Sequence, residues 1–269
     1  MKVARQPYID IHCHVVPGID DGSVDMPESL AMVRDAAADG TTTVIATPHQ
    51  LGANAHVTAE AIRRGVAALQ AAVDEAGICV KILPGADVRI EPELPALVRH
   101  GKVVTLADRG RHLLLELPHE TCFPLDSLLA ALDRRGVVGI LSHPERNRGI
   151  IREPGVMRDV VDAGGLLQIT AGSLLGEFGA SPKRLAESAV RDRLAHFVAS
   201  DAHDTSKRPF GLRAAFEAVA ALTDEDYAIL VCSINPGRVV RGESVDTETQ
   251  NRPVTRGSSV FSLFKKAVL

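Results

Sequence analysis

The 269-residue chain has no tryptophan and only two tyrosines and seven phenylalanines. With a net charge of −4, this scarcity excludes the aromatic platforms and phosphate-tracking grooves that hold single-stranded nucleic acid. Cysteine is also sparse: Cys13, Cys79, Cys122 and Cys232 stand far apart with no CxxC pair. That removes a disulfide framework and a zinc ribbon, and fits a reducing compartment. No run approaches the ~20 apolar residues that cross a bilayer, and the opening MKVARQPYID has no apolar stretch of the signal-peptide kind. The expectation is a cytoplasmic protein without a transmembrane segment, whose main partner is not nucleic acid.

What is present is enough apolar sequence, 45% against 24% charged, to bury a core without staples. Seven short apolar runs recur: 8–12, 42–47, 80–84, 112–117, 138–143, 166–170 and 196–200. Helical stretches separate them, such as PESLAMVRDAAADG with Pro27 near its start and Gly40 as its stop. DSLLAALDRRG reads likewise, with Asp126 as cap and Gly136 as stop. Runs that are apolar on both faces suit parallel strands covered by helices, and seven strand–helix units close most readily into a (β/α)7 barrel. No internal repeat is evident. The expected division is a barrel over 1–243 and a flexible polar tail over 244–269, in which Val260, Phe264 and Val268 share one face of a short helix.

The expected strand ends carry an unusual set of side chains. His12 and His14 end the first run and His49 follows the second; Asp87 follows the third, and Glu116 lies near the end of the fourth. His143 ends the fifth, and Asp201 with His203 follows the seventh. In a barrel of this kind all these ends meet at one face, where active sites are built. Residues two apart on a strand point the same way, so His12 and His14 can share one ion while Cys13 faces elsewhere. A nitrogen and oxygen donor set without sulfur suits manganese, iron or zinc. One HxH pair is a weak signal; five histidines with carboxylates at successive strand ends are a strong one.

Two further features carry less. His56, His100, His112, His119 and His196 lie away from these ends and are expected in ordinary surface or core roles. CSINPGR, residues 232–238, has the C-x5-R spacing of cysteine phosphatases. It lacks their loop: Pro236 removes a backbone donor, and the preceding DEDYAILVC reads as the end of a helix, not a strand.

Taken together, DIHCHVVPGIDDG, ESLAMVRDAAADG, ATPH, LSHPERN, QITAGSLLGEFG, HFVASDAHDTSKRP and NPGRVVRGE resemble the polymerase and histidinol phosphatase (PHP) superfamily. Within it, they resemble the bacterial capsule-type (CpsB/YwqE-like) metal-dependent tyrosine phosphatases. The resemblance runs from about Tyr8 to Glu243 and implies a distorted seven-stranded, TIM-like barrel holding three divalent ions, usually manganese. It implies one ion on His12, His14, Asp87 and Asp201, a second on Asp21, His49 and His203, and a third on Asp87, Glu116 and His143. It also implies phosphate-holding roles for Arg146 and Arg208, consistent with guanidinium geometry. Asp20 is left as a turn-forming neighbour of Asp21.

One position departs from the family pattern: Asp87 stands where Glu is usual, one methylene shorter, so occupancy of the third ion site is the open point. The reaction implied is direct hydrolysis of a phosphomonoester, a hydroxide held by the ions attacking phosphorus in line. The substrate implied is phosphotyrosine on a bacterial tyrosine kinase that regulates capsular or exopolysaccharide assembly. Two alternatives stay open at this point: another PHP phosphoesterase, histidinol-phosphatase-like or nuclease-like, and a non-catalytic metal-stabilised scaffold that binds the kinase.

Overall fold

The computed structural model describes residues 6–245. The tail beyond 245, with the helical face expected at Val260, Phe264 and Val268, lies outside the described residues. Packing continues past the expected boundary at 243: Val245 lies against the apolar interior, and Ser244 accepts a hydrogen bond from Arg111.

Among the described residues, nine strand segments are interspersed with eleven α-helices. The strands are β1 (Tyr8–Cys13), β2 (Thr41–Ala46), β3 (His49–Gln50), β4 (Lys81–Pro84), β5 (Asp87–Arg89), β6 (His112–Glu116), β7 (Val138–Ser142), β8 (Leu166–Thr170) and β9 (Phe197–Ala199). The helices are α1 (Met26–Asp39), α2 (Ala59–Glu75), α3 (Leu94–Arg99), α4 (Asp126–Asp133), α5 (Arg148–Arg152), α6 (Val156–Asp162), α7 (Ala171–Leu175), α8 (Ala180–Arg191), α9 (Leu212–Leu222), α10 (Glu225–Ile229) and α11 (Asn235–Arg241). Every strand pairing is parallel, in two sheets ordered β1-β2-β4 and β3-β5-β6-β7-β8-β9. On one side the β2–β4 ladder runs on into the β3–β5 ladder through Gly85 N to Ala46 O and Asp87 N to Pro48 O. On the other side His14 N donates to Ala202 O and Asp201 N to His12 O. Thus β1 adjoins the end of β9 and the sheets curve into one another.

Side-chain alternation divides the apolar residues into an outer layer, facing the helices, and a smaller interior. The interior holds Ile11, Ile45, Leu114, Ile140, Leu166, Phe197 and Ala199, with Val239 of α11 and Leu106 closing one end. Continuing the inward alternation toward the strands' C-terminal ends turns Leu114 into Glu116, Leu166 into Gln168, and Phe197 and Ala199 into Asp201. The polar centre is therefore the upper part of the same interior.

Local chemistry explains the helix ends and corrects two of them. Asp25 caps α1 by accepting from Glu28 N, Pro27 occupies the first turn, and Gly40 closes it in the left-handed conformation (φ 102°). In α4, however, Asp126 is the first helical residue and makes no capping hydrogen bond, whereas Gly136 does stop the helix, left-handed (φ 71°), with Gly136 N donating to Asp133 O and Val137 N to Leu132 O. Burial of Leu129 and Leu132 holds its start in place of an Asp126 cap. DEDYAILVC does not end a helix either: α10 runs through a π-helical turn, Leu230–Ile234, into α11. Cys232 is fully buried within that run, and burial pushes its thiol further up from its ordinary value. No thiolate nucleophile forms there. Among the described residues no helix is long and apolar enough to cross a membrane.

Candidate metal centre

The centre begins with an irregularity in β1. From Asp10 to Cys13 the strand advances three residues while β2 advances two, from Val44 to Ala46. Such a bulge re-aims side chains: Ile11 stays in the apolar interior, His12 joins the polar centre, and Cys13 packs in the outer layer. His14 follows, and the two Nε2 atoms lie 3.2 Å apart.

Each ring is held from behind by its Nδ1. His12 Nδ1 is 2.8 Å from Gln168 Oε1, and His14 Nδ1 is 2.6 Å from Asp20 Oδ2. Both partners leave Nε2 free to face the centre, the arrangement by which a carboxylate or amide orients a ligating imidazole. Asp20 is thus more than a turn former. Its side chain is fully shielded, and it also accepts from the backbone N–H groups of His49 and Gly22.

Backbone strain aims two further groups. His143 (φ 32°, ψ 51°) and Asp201 (φ 54°) adopt left-handed conformations, which non-glycine residues keep only where the surroundings impose them. In a regular β7 the inward Ile140 would send His143 outward; the turn brings its Nε2 to 3.7 Å from Asp87 Oδ2.

The nine residues expected as ligands, His12, His14, Asp21, His49, Asp87, Glu116, His143, Asp201 and His203, meet in four overlapping groups. These are His14/Asp21/His49/His203, His12/His14/Asp87, His12/His143/Asp201 and His49/Asp87/Glu116, the donor atoms of each within 4.8 Å of one another. His49 spans two groups. Its Nε2 is 3.5 Å from Asp21 Oδ1, and its Nδ1 is 3.5 Å from Asp87 and 3.7 Å from Glu116.

Asp87 tests whether these residues fit a cation. Both its oxygens are buried without a hydrogen-bond partner, with ring nitrogens of His12, His49 and His143 at 3.5–3.7 Å. A buried carboxylate left so is costly unless a cation completes it. The nitrogen and oxygen donor set fits a divalent metal.

The electrostatics reflect how closely these groups are crowded. Burial opposes ionisation of Asp87 and Asp201, yet the neighbouring histidines, and for Asp201 also Arg146 and Arg208, hold both far below the usual carboxylate range. Burial lowers His12 to about 4. It acts on His14 too, but there Asp20 and Asp201 outweigh it and raise the pKa to about 10. Burial and the charge of Asp87 raise Glu116, whose Oε2 is 3.1 Å from Arg89.

Arg146 and Arg208 lie at the rim and converge on Asp201 Oδ2, Arg208 at 2.6 Å. The turn Pro144–Arg146 supplies the first; the loop between β9 and α9 supplies the second. Phe178 lies beside both guanidinium groups. His56, His100 and His119 are exposed and His112 and His196 buried, and none of these five belongs to the four donor groups. Sequence reasoning did not find Gln168, Arg89, Phe178 or the orienting role of Asp20. Of these, only Gln168 had a local signal, its inward place in the alternation of LLQIT.

Residues 8–241 match the family described as capsular polysaccharide synthesis, CpsB/CapC. The chain belongs to the CpsB/CapC family. This CpsB/CapC chain is 36% identical over 204 residues to the tyrosine-protein phosphatase YwqE of Bacillus subtilis (strain 168), covering 75% of this chain and 80% of that protein. It is 24% identical over 243 residues to the tyrosine-protein phosphatase CpsB of Streptococcus pneumoniae, covering 88% of this chain and all of the other. In structure it resembles a chain from work on YwqE of B. subtilis and CpsB of S. pneumoniae, described as unique metal-dependent tyrosine phosphatases. There the TM-score is 0.85 at 31% identity, covering 92% of this chain and 100% of that one. A phosphotriesterase homology protein from Escherichia coli, with phosphate in its active site, shares the fold alone, with a TM-score of 0.56 at 13% identity over 88% of this chain and 99% of that one.

Proposed function

We propose that this CpsB/CapC chain is a metal-dependent protein tyrosine phosphatase that hydrolyses phosphotyrosine without a covalent enzyme intermediate. The observation that carries the reading is the meeting of nine imidazole and carboxylate side chains beside two arginines that share one carboxylate oxygen. The fold reading goes with it. Counting β2 with β3 and β4 with β5 as interrupted strands makes a distorted seven-stranded PHP barrel.

His12, His14, Asp21, His49, Asp87, Glu116, His143, Asp201 and His203 would hold three divalent ions, with manganese our first assignment and iron or zinc compatible with the same donors. Bound there, the ions would supply an acidified water nucleophile and neutralise phosphate charge. Gln168 and Asp20 hold His12 and His14 with Nε2 turned to the centre. Arg146 and Arg208, anchored on Asp201, present their remaining N–H groups to the phosphate oxygens, the planar bidentate recognition for which guanidinium is suited. Arg89 balances Glu116 at the edge. The leaving phenol, with a pKa near 10, departs without a strong general acid, which favours tyrosine over serine esters.

The family's description and the names of the relatives support phosphotyrosine on a bacterial tyrosine kinase of capsular or exopolysaccharide assembly as the substrate. The test is phosphate release from phosphotyrosine peptides, with and without chelator, by wild type, His14→Ala and Cys232→Ser. Activity should require metal, vanish in His14→Ala and persist in Cys232→Ser. Survival of the first variant with loss of the second would overturn the mechanism.

A further inference from the structure

Arg146 and Arg208 carry like charges, yet both end on the same oxygen of Asp201. A carboxylate shared in this way offsets their repulsion at the tips but fixes neither guanidinium plane. Phe178 lies against both: the Arg146 Cζ is 4.2 Å from its ring centroid, and the Arg208 Cζ 5.9 Å from the same point. An aromatic face attracts cations and matches the flat guanidinium in shape.

We propose that Phe178 is a positioning residue for phosphate recognition, an aromatic shelf that holds the two arginines side by side with their outer N–H groups toward the phosphate site. The proposal rests on the reading of Arg146 and Arg208 as phosphate-holding groups.

The loop around Phe178 is built to keep the ring in place. Gly176 ends α7 in the left-handed conformation (φ 90°), and Glu177 N returns to Gly172 O at 2.9 Å. A Cβ at Gly172 would come within 2.9 Å of Phe178 Cε2, so the ring packs where only hydrogen leaves room. The same loop is tied to the Arg146 turn. Glu145, the residue before Arg146, is fully buried, and its Oε1 accepts from Thr170 N at 3.0 Å and Ser173 Oγ at 2.7 Å. Shelf and arginine thus share one anchor. Phe178 itself is only half-buried, so its replacement need not disturb the core.

The experiment uses the manganese-loaded full chain and reads inhibition by inorganic phosphate, KM and kcat for p-nitrophenyl phosphate, and bound metal. Phe178→Ala should raise the phosphate inhibition constant and KM about tenfold, the size of a partly shielded cation–π contact, with a smaller change in kcat and no loss of metal. Phe178→Tyr, which keeps the aromatic face, should stay near wild type, and Phe178→Leu should retain most of the alanine defect. A leucine variant equal to wild type, or an alanine variant with unchanged phosphate inhibition, would overturn the shelf. Arg146→Ala separates the two ideas. If it raises the inhibition constant while Phe178→Ala does not, the shelf alone fails; if it leaves the constant unchanged, the arginine reading fails.

Discussion

Asp87 concentrates the residue-scale question. The Asp87 side chain lies within 3.7 Å of ring nitrogens from three histidines. The backbone delivers it: Asp87 N donates to Pro48 O, and Asp87 pairs with His49 in the β3–β5 register. Asp87→Asn should therefore lose bound metal and activity together, because it removes the charge at constant size. Asp87→Glu should change either one little. A many-fold rise in both, measured by metal analysis beside p-nitrophenyl phosphate turnover, would reveal an under-occupied native centre. Asp20 acts one step behind. Asp20→Asn weakens the hydrogen bond that orients His14 and should lower metal affinity about 10–100-fold, read by calorimetric titration of the apo-protein.

Among elements, the segment joining β1 to α1 separates structural from functional constraint within four residues. Gly22 lies against the His14 carbonyl, where a Cβ would collide with backbone, so Gly22→Ala must displace the loop that bears Asp21. We expect about 1–3 kcal/mol of destabilisation, typical of overpacking, together with lost activity. Asp25 only caps α1. Asp25→Ala should cost about 1 kcal/mol while turnover is retained. Denaturant melts paired with turnover distinguish the two outcomes, and equal effects on turnover would refute the distinction. The seven main strands were legible because each is a short apolar run between helical periods. The two-residue β3, the three-residue β5 and the β1 bulge were not, because pairings with distant strands define them and no periodicity of their own does.

For the whole molecule, acid stability should depend on a histidine remote from the metal centre. His196 is buried beside β8, its Nδ1 accepting from Leu167 N at 3.2 Å, and burial lowers its pKa from 6.5 to about 4. Between those values the unfolded chain takes up a proton that the folded chain refuses, so stability falls as pH drops from 6.5 toward 4. Above 6.5 the contribution is complete. At about 1.4 kcal/mol per pH unit, the full depression corresponds to roughly 3 kcal/mol. Urea unfolding of the chelator-treated protein at several pH values should show a shallower acid loss for His196→Gln than for wild type; parallel curves would remove His196 as the cause.

The sequence by itself determined the α/β class, the order of strands and helices, and the residue types at the strand ends. Parallel strand order does the rest of that work, since it brings the C-terminal ends of successive strands to one face. Only the tertiary structure decided which ring nitrogen faces the centre, that Arg146 and Arg208 share Asp201, and that Phe178 lies beside both. Those facts depend on hydrogen bonds and ring contacts between segments far apart in the chain, such as His12 with Gln168. Local propensity carries no information about such partners; the closing of the sheets does.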